Sequence, residues 1–516
     1  NTLDDAMKDA DVFIGLSIAD IVSPAMLKSM AKRPIVFAMA NPNPEIDYQL
    51  AMDTRKDVIM ATGRSDHPNQ VNNVLGFPFI FRGALDVRAT KINEDMKMAA
   101  VKALAELAKE PVPEQVKIAY GETRLNFGSD YIIPKPFDPR LIAKVPPAVA
   151  KAAMESGVAR TEITDWQKYE DELLERMGSD NKITRLLMQR AKNNPKRVIF
   201  AEADHLDVLK AAQIVYDEGI GTPILLGRRE VIKELMGEID FDADVEIIDP
   251  KSDEERGKLQ KYAEAYFDSR NRKGVTLYDA ERLMRERNYF AAMMVNEGDA
   301  DALLSGYSRA YPTVVKPMLQ LIGMAKGISR VAATNVMNTS RGPIFISDTS
   351  INIDPSAKDL AKIAQLTAGV VRLFGLEPVM AMLSYANFGS SDHPQARKVK
   401  DAVSYLHRYH PNLLVDGELQ SDFALNKEML QKKFPFSKLA GKKVNTLIYP
   451  NLDSANSAYK LIKELNDTDS IGPIMMGMNK PVHILQLGAS VEEMVNMAAV
   501  AVVDAQEKEK AKKAKK

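Results

Sequence analysis

The chain has 516 residues, and 69 Lys and Arg against 70 Asp and Glu leave no global field to draw it to nucleic acid or an anionic membrane. It has no cysteine, which excludes disulfides, thiolate nucleophiles and thiolate-bound zinc and fits an intracellular protein. No apolar run approaches the ~20 residues that span a bilayer and no signal peptide opens the chain, so a soluble, cytoplasmic protein of about three or four domains with small, local partners is expected.

Asn1-Thr2-Leu3-Asp4-Asp5 reads as the interior of a helix, without an initiator methionine, so a preceding segment is expected. Short apolar strands follow at 11–17, 34–42 and 58–63, with helical stretches such as 24–31 between them. Such alternation argues for a parallel sheet covered on both faces, whose ligands sit at the carboxyl ends of the strands. Those ends carry Gly15 to Ser17, Asn41 and Gly63. No Gly-x-Gly-x-x-Gly fingerprint precedes these strands, and Gly219-Ile220-Gly221 reads as a turn, so a complete dinucleotide site is absent. From the residues alone, Asn41 and Asn73 either cap the next helix and satisfy loop backbone, or orient a substrate with amides that both donate and accept without titrating.

Ala38-Met39-Ala40-Asn41-Pro42, Ala61-Thr62-Gly63-Arg64-Ser65-Asp66, Asn69-Gln70-Val71-Asn72-Asn73, Gly76-Phe77-Pro78-Phe79-Ile80-Phe81-Arg82-Gly83 and Ile132-Ile133-Pro134-Lys135-Pro136-Phe137-Asp138-Pro139-Arg140 resemble the bacterial NADP-dependent malic enzymes over about 160 residues. The resemblance implies the end of a Rossmann-type domain, oxidative decarboxylation of malate to pyruvate, NADP, and Mg or Mn. It places Asn41 and Asn72 or Asn73 beside nicotinamide and malate, and Gly15 and Ser17, at a strand end, join Asn41 as the cofactor candidates. The tyrosine and lysine that transfer protons in that family, its acidic metal ligands and its phosphate-binding glycine loop align upstream of residue 1. No metal ligand and no catalytic residue is therefore assigned in this chain, which by itself is not expected to oxidise malate.

Prolines 111, 113, 134, 136, 139, 146 and 147 argue against long regular elements in the connector, after which 148–154 reads as a helix. The main domain break is placed near residue 160, between a first domain of 1–160 and a linker helix of 161–179. Trp166, the one tryptophan, is expected to pack between domains.

Strand and helix alternation resumes with strands at 197–202, 223–227, 245–249 and 302–306, then 330–334, 343–348, 379–384 and 445–450. These form two lobes, 180–326 plus 479–516 and 327–478, with a cleft between them where ligands commonly sit. His407 and His410 share a helical face but have no carboxylate pair nearby and read as a solvated helix end. The terminal Lys- and Glu-rich run reads as a solubilising helix end.

Asp416-Gly417-Glu418-Leu419-Gln420-Ser421-Asp422, Tyr459-Lys460, Ile471-Gly472-Pro473-Ile474 and Lys480-Pro481-Val482 resemble phosphate acetyltransferase over roughly 180–505. The resemblance implies a dimeric, two-lobed α/β fold whose cleft takes coenzyme A. It also sets the family's catalytic serine, arginine and aspartate on Gln486, Leu487 and Glu493, a phosphate-binding arginine on Lys316, a further site arginine on Arg270 and a loop lysine on Phe388. Glu493 remains a potential base, but Leu487 cannot replace a cation, and one preorganised donor is worth ~10²- to 10³-fold in rate. Lys316 keeps charge without the bidentate fork. Tyr307, Ser308 and Arg309 at a strand end, and Asn387 beside Phe388, complete the candidate set for acetyl-CoA.

Joined, the halves resemble the hybrid NADP-dependent malic enzymes of bacteria: a malate-oxidising part fused to a domain expected to bind acetyl-CoA as an effector without turning it over, in a homo-oligomer. The competing classes are an active phosphate acetyltransferase and a purely structural oligomerisation module.

Overall fold

The computed structural model describes residues 2–113, 116–117, 120, 125–176, 182–339, 341–466 and 470–513, which divide into two compact units at Ser179/Asp180. Each is described separately.

The first unit opens with a helix at Leu3–Met7 whose N-cap is Thr2, so Thr2 to Asp5 is a helix start and not a helix interior. The Thr2 hydroxyl takes the Asp5 N–H while the Asp5 carboxylate takes the Thr2 N–H, satisfying two orphan donors at once. Strands β1 (Val12–Gly15), β2 (Ile35–Ala38) and β3 (Ile59–Thr62) then form a parallel sheet in that order, with Gly15 opposite Ala38 and Ala38 opposite Thr62. The crossover helices Pro24–Ser29 and Tyr48–Thr54 are capped by Ser23 and Asp47, and Leu27, Val36 and Met60 fill the core beside the sheet.

A helical layer follows. The helix expected at 148–154 begins at Leu141 and runs to Glu155 with Pro146 and Pro147 inside it. Two missing N–H groups cost bonds, but both prolines are buried and packing overrides propensity. That packing is close: a Cβ on Gly83 would lie 2.5 Å from the Pro146 carbonyl oxygen and 2.8 Å from Val149 Cβ. The helix Trp166–Arg176, expected to link the halves, belongs to this unit, because Tyr169 and Leu173 are buried in its core and Trp166 packs edge-on against Tyr169.

The second unit has two sheets. In the first lobe the order is β14 (Val482–Ile484), β7 (Ala302–Ser305), β4 (Arg197–Phe200), β5 (Thr222–Leu226), β6 (Glu246–Ile248), all parallel. In the second it is β11 (Leu414–Leu419), β10 (Val379–Leu383), β12 (Thr446–Ile448), β9 (Gly342–Ser347), β8 (Ala332–Thr339), β13 (Ser470–Met476), with β8 antiparallel to both neighbours. Sequence periodicity misses β11, β13 and β14. β13 carries Gly472-Pro473 at a register shift, and β14 is three residues long.

The segments joining the lobes pair with each other, Ala325 N–H to the Gly477 carbonyl at 2.9 Å and Asn479 N–H to the Gly323 carbonyl at 3.0 Å. After β14 the final helix, Val491–Lys513, buries Val500 to Val503 in a core shared by both sheets. Alternation along β10 separates the two faces of the second lobe. Met380 and Met382 join the core of helices Ala357–Leu373 and Pro394–Tyr409, whereas Ala381 and Leu383 face Leu430 and Tyr459. No described helix is long and apolar enough to cross a membrane.

Candidate functional site

In the first unit the residues after β1, β2 and β3 lie along one edge, as a parallel sheet requires. Ser17 and Asn41 are exposed there, and a Cβ on Gly63 would meet nothing within 4 Å, so the edge is open. Asn72 accepts the Val74 N–H at 3.0 Å and caps a short 3-10 helix, Asn73–Leu75, while Asn73 is exposed. Both asparagines are held at the same edge, since Val71 N–H donates to the Thr62 carbonyl at 2.8 Å.

Two residues that sequence reasoning passed over organise this edge. Asn69, at φ +54°, donates to the Met60 and Ser129 carbonyls at 3.0 and 2.7 Å and accepts the Ile132 N–H at 2.8 Å, tying β3 to the 129–132 loop. Glu45 is fully buried; it accepts Ser17 N–H at 2.9 Å and Ala40 N–H at 3.0 Å. Gly15 is required by this carboxylate, because a Cβ there would lie 2.4 Å from Glu45 Cδ. The only sequence signal for Glu45 is an acid just after a strand end.

The nicotinamide-side edge of a dinucleotide site fits these residues: the exposed Asn41 amide, the Ser17 hydroxyl and the open space over Gly63. A divalent metal does not fit, since no group of three or more Asp, Glu or His that could hold one occurs among the described residues.

In the second unit the loops after β14, β7 and β4 are neighbours. Leu485 N–H donates to Ser305 O at 2.8 Å and Gly488 N–H to Tyr307 O at 3.1 Å, which brings Tyr307, Ser308 and Gln486 together. Glu202, buried after β4, fills the amide nest of the β7 loop: it accepts N–H bonds from Gly306 and Tyr307, both at 2.7 Å, and the Ser308 hydroxyl at 2.7 Å. The Tyr307 hydroxyl donates to Asp207 at 2.8 Å, a bond that raises its pKa. Beside it, burial works to raise the Asp204 pKa, but a bidentate Arg287, at 2.8 and 3.0 Å, outweighs it and holds the carboxyl below its ordinary value.

At the three substituted positions the side chains are engaged or inert. The Gln486 amide donates to the Tyr459 hydroxyl at 2.8 Å. Leu487 is 66% exposed. Glu493 accepts Lys463 Nζ at 2.7 Å and Ser490 N–H at 3.0 Å, so the residue expected as a potential base serves as a helix cap and an ion-pair partner. Burial works against the Lys463 charge and the Glu493 carboxylate outweighs it, leaving Lys463 with a raised pKa.

In the second lobe, Asp348 accepts four backbone N–H bonds at 2.9 to 3.2 Å, from Ala333, Ser350, Ile351 and Asn352. Buried Glu418 takes the Gly389 N–H of the loop carrying Phe388. Asn387 exchanges bonds with Gln420 at 2.7 and 2.8 Å, and the ring of Phe388, at φ +44°, lies 5.0 Å from both Phe434 and Phe436, tilted against the first and edge-on to the second. The helices after β10 and β12 leave on opposite faces, and at this topological switch point lies a cavity of about 330 Å³ lined by Ser384, Tyr385, His393, Gln395, Pro450 and Asn451.

Arg270 donates to the Gln320 carbonyl at 2.6 Å. Arg309 and Lys316 are exposed, with no ion-pair partner among the described residues. His407 bonds the Val415 carbonyl at 2.8 Å, a structural contact.

Comparison with known proteins matches these geometries. The pattern "Malic enzyme, NAD binding domain" covers residues 2–120 and "Phosphate acetyl/butaryl transferase" covers 182–502. The NADP-dependent malic enzyme of Escherichia coli is 44% identical over 98% of this chain, which spans 67% of that protein. The NAD-dependent malic enzyme of Rhizobium meliloti is 41% identical over 97% of the chain and 66% of its own length. The second unit is similar to a phosphotransacetylase structure from Streptococcus pyogenes, with a TM-score of 0.60 and 35% identity over 64% of this chain and 99% of that one. With a nucleotide-binding sheet edge in one unit and a transferase fold in the other, the chain belongs to the malic enzymes that carry a fused phosphate acetyltransferase-like domain.

Proposed function

We propose that the protein oxidatively decarboxylates malate to pyruvate and CO2 with NADP and with a divalent metal that the described residues do not themselves hold, and that its second unit binds acetyl-CoA as an effector without turnover. The first part follows from the E. coli relative, whose name gives NADP dependence. In this chain Asn41 and Asn73 would orient malate, and Ser17 and Asn41 would hold the nicotinamide end of the cofactor, which supplies the hydride acceptor. Malate's carboxylates and hydroxyl suit amides that donate and accept without changing charge.

The observation that carries the second part is the state of the three substituted positions. A transferase needs a free base for the thiol and a cation for the phosphate oxygens. Here Gln486 and Glu493 are bound to Tyr459 and Lys463, and Leu487 carries no charge. Backbone amides of the loops after β7 and β9 are already filled by Glu202 and Asp348, and Glu418 fills one after β10, so phosphate finds fewer open donors. Exposed Arg309 and Lys316 remain for the phosphates of a coenzyme A ester, and the unit is proposed to assemble the protein as a homo-oligomer.

Calorimetric titration of this chain with acetyl-CoA, free coenzyme A and acetyl phosphate tests the proposal. Micromolar acetyl-CoA binding without product release supports it. Turnover of acetyl phosphate and coenzyme A would establish the transferase class instead, and no binding at all would leave an assembly scaffold.

A further inference from the structure

We infer that Glu45 is a positioning residue for hydride transfer, setting the distance between the cofactor-side loop and the substrate-side turn; this rests on the malate-oxidising reading above. β1 and β2 are paired from Val12 to Gly15, and Met39 N–H still bonds the Gly15 carbonyl at 3.1 Å before one chain runs on towards Ser17 and the other towards Asn41. The Glu45 side chain occupies that fork. One carboxylate oxygen takes the Ser17 N–H at 2.9 Å and the other the Ala40 N–H at 3.0 Å, while the residue's own carbonyl accepts the Val22 N–H at 2.9 Å. Its exposure is 0%, and no cation pairs with it among the described residues.

An apolar side chain of similar volume would avoid the desolvation cost of a buried carboxyl group but would leave the Ser17 and Ala40 N–H groups without this acceptor. What the carboxylate adds is geometry: a rigid planar group with one oxygen on each loop fixes their separation. Gly15 is the reciprocal feature, since any Cβ would drive into the Glu45 carboxyl group at 2.4 to 2.5 Å. In the proposed reaction the C2–H bond of malate breaks, its hydride passes to the nicotinamide ring of NADP, and the hydroxyl proton leaves to a base. Misplacement of ~1 Å between two such reactants costs of order 10²-fold in rate.

The test uses the full-length enzyme with Glu45→Gln, compared with wild type and with Gly15→Ala. Glutamine keeps one accepting oxygen but offers the second loop a donor. The expected result is a fall in kcat of at least about tenfold, nucleotide and malate KM values changed by less than about threefold, and a larger primary isotope effect with malate deuterated at C2. Gly15→Ala, which displaces the same carboxylate, should give the same signature if Glu45→Gln folds poorly. An unchanged kcat, or a lower rate with an unchanged isotope effect, would mean that Glu45 only keeps the fold together and would overturn the inference. A wild-type enzyme that does not oxidise malate would bring down the functional reading itself, and this inference with it.

Discussion

Gln486, on the loop after β14 in the first lobe, donates to the hydroxyl of Tyr459 in the second lobe at 2.8 Å, and one helical turn on, Lys463 holds Glu493 at 2.7 Å. Two positions on which the resemblance sets the transferase family's catalytic groups therefore join the lobes here. Tyr459 is 2% exposed, so its hydroxyl depends on protein partners. Tyr459→Phe should destabilise the second unit by about 1 kcal/mol. Gln486→Leu should cost a similar amount, with the double variant less than additive. Urea unfolding of the four proteins measures this, and full additivity would show that the pair is not coupled.

Gln486→Ser combined with Leu487→Arg returns a hydroxyl and a cation to the loop. The wild-type chain should show background acetyl-CoA synthesis from acetyl phosphate, and the double variant a gain of at least about tenfold, because one preorganised donor is typically worth ~10²-fold or more while Glu493 stays paired with Lys463. A wild-type rate already in the range of ordinary enzymes would contradict the account.

Arg287 and Asp204 give a pH-dependent contribution with a defined sign. Burial pushes Asp204 up, and Arg287 more than offsets it, so the folded pKa lies below the ordinary value near ~3.9. The stabilisation is thus complete above that value and is lost as pH falls through the folded pKa. Asp204 is only 5% exposed, so Arg287→Gln should cost about 3 kcal/mol at pH 7 and much less once the pH has fallen below the folded pKa of Asp204. Equal losses at both pH values in urea titrations would show that the charge interaction is not the cause.

Gly83→Ala should destabilise the first unit by roughly 1 to 3 kcal/mol, because its Cβ meets backbone, the Pro146 carbonyl, at 2.5 Å. A melting temperature within a degree of wild type would refute the close approach.

Apolar strands bounded by glycine and asparagine were readable from sequence because parallel strands buried on both faces leave near-continuous apolar runs, as at 302–305 and 379–383. The helix through Pro146 and Pro147 was not, since local propensity forbids it and only packing against neighbouring helices permits it. Among candidate residues, Asn41, Ser17, Tyr307 and Gln486 do lie at strand ends, where an α/β rule places them. The partners of Arg270 and Glu493, Gln320 and Lys463, are 50 and 30 residues away in the chain, beyond the reach of local sequence pattern. Glu45, Glu202 and Asp348 carry no motif of their own, because the backbone amides that they bind come together only in the folded chain.

The most direct measurement is the initial rate of malate-dependent NADP reduction by the full-length enzyme, with and without saturating acetyl-CoA. The account predicts a change of about five- to 150-fold in apparent malate affinity, the range of typical coupling energies, with acetyl-CoA recovered intact. Identical malate kinetics in its presence, or its conversion to acetyl phosphate and coenzyme A when phosphate is supplied, would contradict it.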